Sequence, residues 1–415
     1  MDEFENDEYL EEHKRSQLIK YGISIAAALI ILLITVFFAF FVNAKYTNND
    51  NSKSSASEVS ENSQTESIYE DSDNTSEISE INNSEISDIS DVVSETVESQ
   101  PEESIETSEP VIYGQTIDGV YLFGDVGLQV FGSSSLAETK YAAALNAYRD
   151  AFSSDIKMYS ILVPTYVEFY KFTDNRVICQ SQKASIDSIY SKLDNGITSV
   201  DIYTTLKDHI SEYLYYRTDV NWSPLAAYYA YCEFIKEIGD MPIPLSTYET
   251  GKIDEFLGMS YIRTKAKQLE DVPDNIDFYR VDRKYPSNVT HYFTDGSVYK
   301  NSQLVFKNVA GITNGYLIFG AETQYTSIIT ANTTGRKLLV LRESSATAFL
   351  PFLVPHFDEI HAVDIRYFDE YTKESIADFA EEKGITDILF INYINSANTG
   401  YRIDDINKLL GDRIE

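Results

Sequence analysis

From Tyr21 to Ala44 the chain reads YGISIAAALIILLITVFFAFFVNA without one charged side chain, and the stretch after it, to about residue 110, holds almost no large apolar groups. An apolar run followed by such a void divides the chain into parts that cannot share one core. At 1.5 Å per residue the run spans the ~30 Å hydrocarbon core of a bilayer with room to tilt. Lys14, Arg15 and Lys20 crowd its N-terminal flank, against Lys45 and Lys53 beyond it, and this basic bias places the N-terminus inside the cell. A cleavable signal peptide is the competing reading, since Val42-Asn43-Ala44 loosely resembles a small-residue cleavage site. The apolar run, however, far exceeds the roughly 7–15 residues such signals use. The expectation is a cytoplasmic tail over 1–20, an uncleaved transmembrane helix over 21–44, and everything beyond it outside the cell membrane.

Residues 45–111 repeat Ser, Glu, Asn, Asp and Ile in fragments such as SEISEINNSEISDISD. Too little apolar surface is present to offset chain entropy, so the expectation is a disordered spacer. Like charges extend it beyond the random-coil estimate of about 5–6 Å × √n, far enough to hold a domain out in a cell-wall layer. Much of the formal charge of −33 sits here. That balance argues against a nucleic-acid partner, whose phosphates need Lys and Arg to displace counterions. The membrane itself is the one partner the sequence names directly.

From about Val111 the composition changes, with Tyr and Phe frequent and apolar runs regular. A domain over 112–415 is large enough to bury a substantial core. Lys157–Phe169, Lys337–Ser344, Glu359–Phe368 and Ile385–Ile394 are short, continuous and rich in branched or aromatic residues, and read as strands buried on both faces. Glu138–Phe152, Ser223–Gly239 and Lys373–Gly384 show helical spacing. Ser223-Pro224 makes a cap and first turn, and Gly384 a C-terminal stop. The alternation predicts an α/β fold, a parallel sheet flanked by helices, with ligands collecting at strand C-terminal ends. Cys179 and Cys232 have no metal-like spacing. One disulfide between them is conceivable outside the membrane, and two buried free thiols is the preferred reading. No phosphate loop, dinucleotide fingerprint or metal motif appears, so no cofactor and no metal are expected.

Two places could carry chemistry. Ser344 ends an apolar strand and precedes a plausible helix, Ser345 to Leu353, whose free N–H groups could stabilise an oxyanion. The plainer reading of a serine at a helix start is an N-cap, and Ser345 serves equally well. The second place is YYRTDVNWSPLAAYYAY, from Tyr215 to Tyr231, which puts Asp219, Asn221 and the sole tryptophan, Trp222, in a turn before a helix. The plainer reading here is a capped turn over a packed tryptophan.

That segment resembles the signature of the DHHW family, an Arg-Thr-Asp-His-His-Trp-Thr/Ser-like string before a Tyr-rich helix. GDVGLQVFG (Gly124–Gly132) resembles the family's early strand pair, LVPTYVEFY (Leu162–Tyr170) its first core strand, and Arg336–Phe368 its Asp-Ser-Tyr-Ala block with a Pro-Phe-Leu sequel. The family is similar to SGNH hydrolases and, within them, to the alginate O-acetylation proteins. The resemblance implies a serine nucleophile, a histidine base two positions after an orienting aspartate, and an acyl-enzyme route on extracytoplasmic polysaccharide. Ser344 matches the nucleophile and Asp219 the orienting carboxylate; Trp222 matches the motif tryptophan and is read, with Arg217 and Glu343, as a binding residue. Val220 and Asn221 stand where the family has two histidines, and Glu343 where it has aspartate before the serine.

Neutral amides do not take a serine's proton near pH 7. Loss of the histidine from a Ser-His-Asp set costs on the order of 10⁶ in turnover in subtilisin. Of the remaining histidines, His13 falls on the wrong side of the membrane, while His356 and His361 are expected low in the sheet; His209 and His291 have no assigned place. Three functions stay open. One is a non-catalytic SGNH-like domain that binds envelope glycan or an envelope protein. The other is a working acyl esterase or O-acetyltransferase that uses Ser344 with a relocated histidine or with Asp219 directly. A purely structural envelope protein is the third.

Overall fold

The computed structural model describes residues 114–411, apart from 172–173, 175, 282–283, 307–312, 314 and 321–322. The apolar run and the acidic spacer lie outside the described residues, and so does His13. Among the described residues no helix is long and apolar enough to cross a membrane.

Thirteen strands are described: β1 (Gln115–Ile117), β2 (Val120–Phe123), β3 (Val126–Leu128), β4 (Lys157–Val163), β5 (Ile197–Ser199), β6 (Glu249–Phe256), β7 (Asp274–Arg280), β8 (Ser287–Phe293), β9 (Val298–Ser302), β10 (Thr323–Thr330), β11 (Lys337–Arg342), β12 (Glu359–Asp364) and β13 (Asp387–Tyr393). Eight of them form the main sheet in the order β5-β4-β13-β11-β12-β10-β8-β9. The first five run parallel and the last three antiparallel. A three-stranded meander, β1-β2-β3, and a β6–β7 hairpin stand beside it.

Alternation along each central strand explains the layering. Leu338 and Val340 of β11 join Tyr159, Ile161, Leu389 and Ile391 on one face, where the helix Pro224–Glu237 packs with Ala226, Ala230, Tyr231 and Phe234. Leu339 and Leu341 join Met158, Ile388 and Phe390 on the other, under the helices Ser135–Ala151, Ile376–Lys383 and Gly400–Leu410. Both faces are apolar because both are covered. The caps read from the sequence are present. Ser223 Oγ accepts from Ala226 N at 3.3 Å ahead of Pro224, and Gly384 stops its helix at φ +65°. Cys179 and Cys232 are free thiols, half-buried rather than buried as expected, and they pack against opposite faces of the sheet, which precludes a bridge between them.

The structure departs from expectation in four places. The sheet is mixed rather than wholly parallel. β8 and β9 are joined by a tight turn at Asp295-Gly296, a dipeptide suited to the left-handed backbone such turns need, and β10 pairs antiparallel with β8. The strand from Leu162 ends at Val163, because Pro164 cannot donate to a ladder, and a 3-10 turn follows at Tyr166–Glu168. The early pair starts before Gly124, with β2 and β3 turning at Gly124-Asp125. Finally, no continuous helix runs from Ser345 to Leu353. A 3-10 turn over Ser344–Ala348 gives way to a short helix, Leu350–Leu353. Pro351 lacks the N–H that a helix through it would use, and its ring would meet the carbonyl four residues back.

Candidate functional site

The turn from Tyr215 to Trp222 is closed by a bridge between those two residues and by Ser223 N donating to Leu214 O at 2.8 Å. Its middle is held from below by Asp274, at the start of β7 and wholly buried. Asp274 accepts from Arg217 N at 3.1 Å, Thr218 N at 2.7 Å and Thr218 Oγ1 at 2.6 Å, and also from the Tyr213 hydroxyl. Thr218 Oγ1 in turn accepts from Gly258 N at 3.0 Å. A polypeptide turn with its N–H groups tied to a buried carboxylate has little freedom, and Asp219 is the next residue along.

Asp219 is 6% exposed. Its Oδ1 accepts from Asn221 N at 2.8 Å and Asn221 Nδ2 at 2.6 Å, and its Oδ2 from Met259 N at 2.6 Å. Burial pushes its carboxyl up from the ordinary range, while these three N–H donors pull against that. Three donors on two oxygens suit a carboxylate. Asn221, two residues on, is therefore oriented by Asp219 just as a histidine there would be. Its amide oxygen points the other way and accepts from the Tyr393 hydroxyl at 3.0 Å.

Ser344 follows the carboxyl end of β11, and the 3-10 turn it opens packs against the helix Pro224–Glu237 and against β13. Tyr393 and Asn392 end β13, the neighbouring strand. Asn392 Nδ2 donates to Glu343 Oε1 at 3.2 Å, Ser396 Oγ to Glu343 Oε2 at 2.6 Å, and Tyr141 Oη to Asn392 Oδ1 at 2.9 Å. Burial raises the Glu343 carboxyl above the usual range. Ser344, Glu343, Tyr393 and the Asp219–Asn221 turn thus share the sheet's carboxyl edge, where parallel sheets bind ligands. Ser344 does not cap a helix; the position before the 3-10 turn is Glu343, with no side-chain cap bond.

The binding residues read from the sequence turn out to be engaged inward. Trp222 is wholly buried, so it supports the turn rather than offering a face to a ligand, and its carbonyl accepts from Tyr316 Oη at 3.3 Å. Arg217 reaches Asp125, Asp274 and the carbonyl of Pro273. Glu343 spends both oxygens within the fold.

Each described histidine has partners of its own. His356 holds Asp240 through Nδ1 and Tyr231 through Nε2, both at 2.7 Å. It precedes β12, whose first residue pairs with Lys337 at the far end of β11 from Ser344, about 20 Å away for six strand residues. His361, third in β12, lies 2.6 Å from the Tyr325 hydroxyl and 3.2 Å from Glu359. His291 lies between Thr326 and the Gln303 carbonyl on β8, and His209 stacks on Tyr229 beside Glu212. Burial lowers the basicity of His291, His356 and His361 alike. Among the described residues no group of His, Cys, Asp and Glu is placed to hold a metal ion.

Sequence reading missed Met259, Tyr393 and Asp274. Gly258-Met259 carried one usable signal, a glycine ahead of a short helix, but nothing paired it with Asp219. A tyrosine at the end of a buried strand and an aspartate at the start of another look like ordinary edge residues.

A family model described as "DHHW protein" matches residues 46–363. A solved structure of a DHHW family protein from Eubacterium siraeum is similar to this chain at 31% identity, covering 73% of it and 100% of that chain, with a TM-score of 0.65. Bacillus cereus PatB1, solved with a sulfonyl adduct, is similar in fold at 15% identity, covering 70% and 98%, with a TM-score of 0.57. The O-acetyltransferase domain of Pseudomonas putida AlgJ aligns at 11% identity over 72% and 98%, with a TM-score of 0.43. No curated protein matches the sequence.

Proposed function

The chain belongs to the DHHW family, and from that premise we propose that its folded domain is an SGNH-hydrolase-like module that binds cell-envelope glycan, or a protein on it, without acyl chemistry. The observation that carries this reading is Asn221. It stands where the family's base is expected, its Nδ2 donates to Asp219 and its Oδ1 accepts from Tyr393. An amide so placed reproduces the orientation of a base and cannot store a proton. The five histidines that could substitute are one in the N-terminal tail and four engaged elsewhere.

The competing reading, an acyl esterase or O-acetyltransferase at Ser344, needs Asp219 as the direct base. Burial lifts the Asp219 carboxyl above its ordinary range, but both its oxygens already take N–H donors from Asn221 and Met259, and those bonds would have to open before it could take the proton of Ser344. That argument favours binding over turnover. The apolar run and acidic spacer fit a single-pass anchor with the N-terminus inside and the domain held out in the envelope. Protease added to intact cells should then digest the folded domain, and protection of that domain would reverse the orientation.

The test of inertness is direct. Purified protein is given an activated acetyl ester and a fluorophosphonate, in parallel with Ser344→Ala. Equal, background rates and no label are expected, together with retained binding of envelope glycan fragments or of an envelope protein. Turnover or labelling that disappears in Ser344→Ala would establish the enzyme instead.

A further inference from the structure

The bond between Tyr393 and Asn221 does more than fill a gap. Asn221 Nδ2 and N both donate to one oxygen of Asp219, so the amide can be turned only one way, oxygen outward. That oxygen is met by the Tyr393 hydroxyl at 3.0 Å, and since an amide oxygen can only accept, the phenol is the donor. Desolvation, with the nearby Tyr316, Asp219 and Glu343, holds the Tyr393 phenol well above its ordinary value, so it stays a neutral donor at any physiological pH.

We propose that Tyr393 is a positioning residue that latches position 221 shut, so that a base placed there would still be withheld from Ser344. This rests on the binding reading above and deepens it. An amide oxygen has two lone pairs, but the far ring nitrogen of a neutral histidine has one. With Nδ1–H turned to Asp219, an imidazole at 221 would project that nitrogen past the present amide oxygen, toward the phenol. The Tyr393 proton would occupy the lone pair that a serine hydroxyl must reach. Inertness of this cleft is therefore written twice, once at Asn221 and again on the last residue of β13, and restoring the histidine alone leaves the second lock in place.

The experiment compares Asn221→His with Asn221→His/Tyr393→Phe in the full folded domain, reading the ring's titration by NMR and the hydrolysis of an activated acetyl ester. A hydrogen bond donated to the neutral ring disfavours its protonation. The single variant should therefore titrate about one pH unit below the double variant. The double variant alone should hydrolyse the ester, with a rate rising through the imidazole pKa. Equal titration in the two variants, or equal hydrolysis by both, overturns the latch. A shifted titration with no hydrolysis in either leaves the latch standing and removes instead the reading of this edge as a serine cleft. Should the histidine variants fail to fold, Tyr393→Phe by itself serves. Exchange of the Asn221 side-chain amide should then speed up about five-fold for the loss of one hydrogen bond, and an unchanged rate overturns the proposal.

Discussion

Gly258 lies so close to Asp219 that a Cβ built on it would sit 2.2 Å from both the Cβ and Oδ2 of the aspartate. The glycine's φ of −86° is open to any residue, so close approach alone demands it. It lets Met259 N reach Asp219 Oδ2 and so locks the carboxylate that orients Asn221.

Gly258→Ala should therefore destabilise the domain by about 1–3 kcal/mol, the range for forcing a methyl into a filled site. Gly400→Ala is the control: nothing lies within 4 Å of its would-be Cβ, and it begins a helix. That change should be neutral or stabilising by up to about 1 kcal/mol. Urea unfolding of both variants checks the pair, and equal midpoints would mean the contact is not tight.

Asp274→Ala removes the acceptor that Arg217 N, Thr218 N and Thr218 Oγ1 share in a wholly buried place. Leaving those donors unmet should cost about 3 kcal/mol. Because the strand β7 itself remains, loss should fall first on the Arg217–Trp222 turn. Hydrogen exchange should report Thr218 and Asn221 amides opening well before those of β11, and uniform opening across both would contradict this order.

How much of this was legible beforehand follows from how local each signal is. The parallel core strands β4, β11, β12 and β13 were plain because burial on both faces leaves continuous apolar runs. The antiparallel flank was not, since β8 (SNVTHYF) and the edge strand β9 (VYKNS) are polar and their partners are set by topology. At the site, Asn221 and Ser344 are singled out by position in a motif. Tyr393 is not, because 172 residues separate it from Asn221 and only the sheet brings them together. At Trp222 the plainer reading, a tryptophan packed under a capped turn, holds, while the binding role given to it does not, because the ring is wholly buried as the floor of the turn.

Stability should fall as pH drops below about 6.5. His291 is 1% exposed; Gln303 O can only accept, so Nε2 carries the proton and Nδ1 accepts from Thr326. Burial lowers its pKa, and those of His356 and His361, beneath the unfolded value near 6.5. The unfolded chain then binds more protons between pH 6.5 and the folded values, so stability is full above 6.5 and lost as pH falls through them. Asp219 and Glu343, with raised values, oppose this by taking protons first in the folded state. His291→Asn isolates the effect: the slope of unfolding free energy against pH between 5 and 6.5 should decrease by up to one proton. An unchanged slope would show that this ring titrates normally.

The residue two before the serine supplies the sharpest asymmetry. Arg342 is wholly buried; its guanidinium holds Asp364 at 3.0 Å and the Thr323 carbonyl at 3.0 Å. Burial brings Arg342 down to about 10 despite that partner. Asp364 also takes Arg366 at 2.7 and 2.8 Å, and this second arginine is raised by it. The two halves of the pair are therefore unequal. Arg342→Met leaves Asp364 still matched to Arg366 and replaces a buried cation with an apolar chain of similar length, so the cost should stay below about 2 kcal/mol. Asp364→Leu strands a cation with no route to water beyond the Thr323 oxygens, and should cost about 3–5 kcal/mol. If urea unfolding ranks the two variants the other way, Arg342 rather than Asp364 is what keeps the end of β11, and with it Ser344, in place.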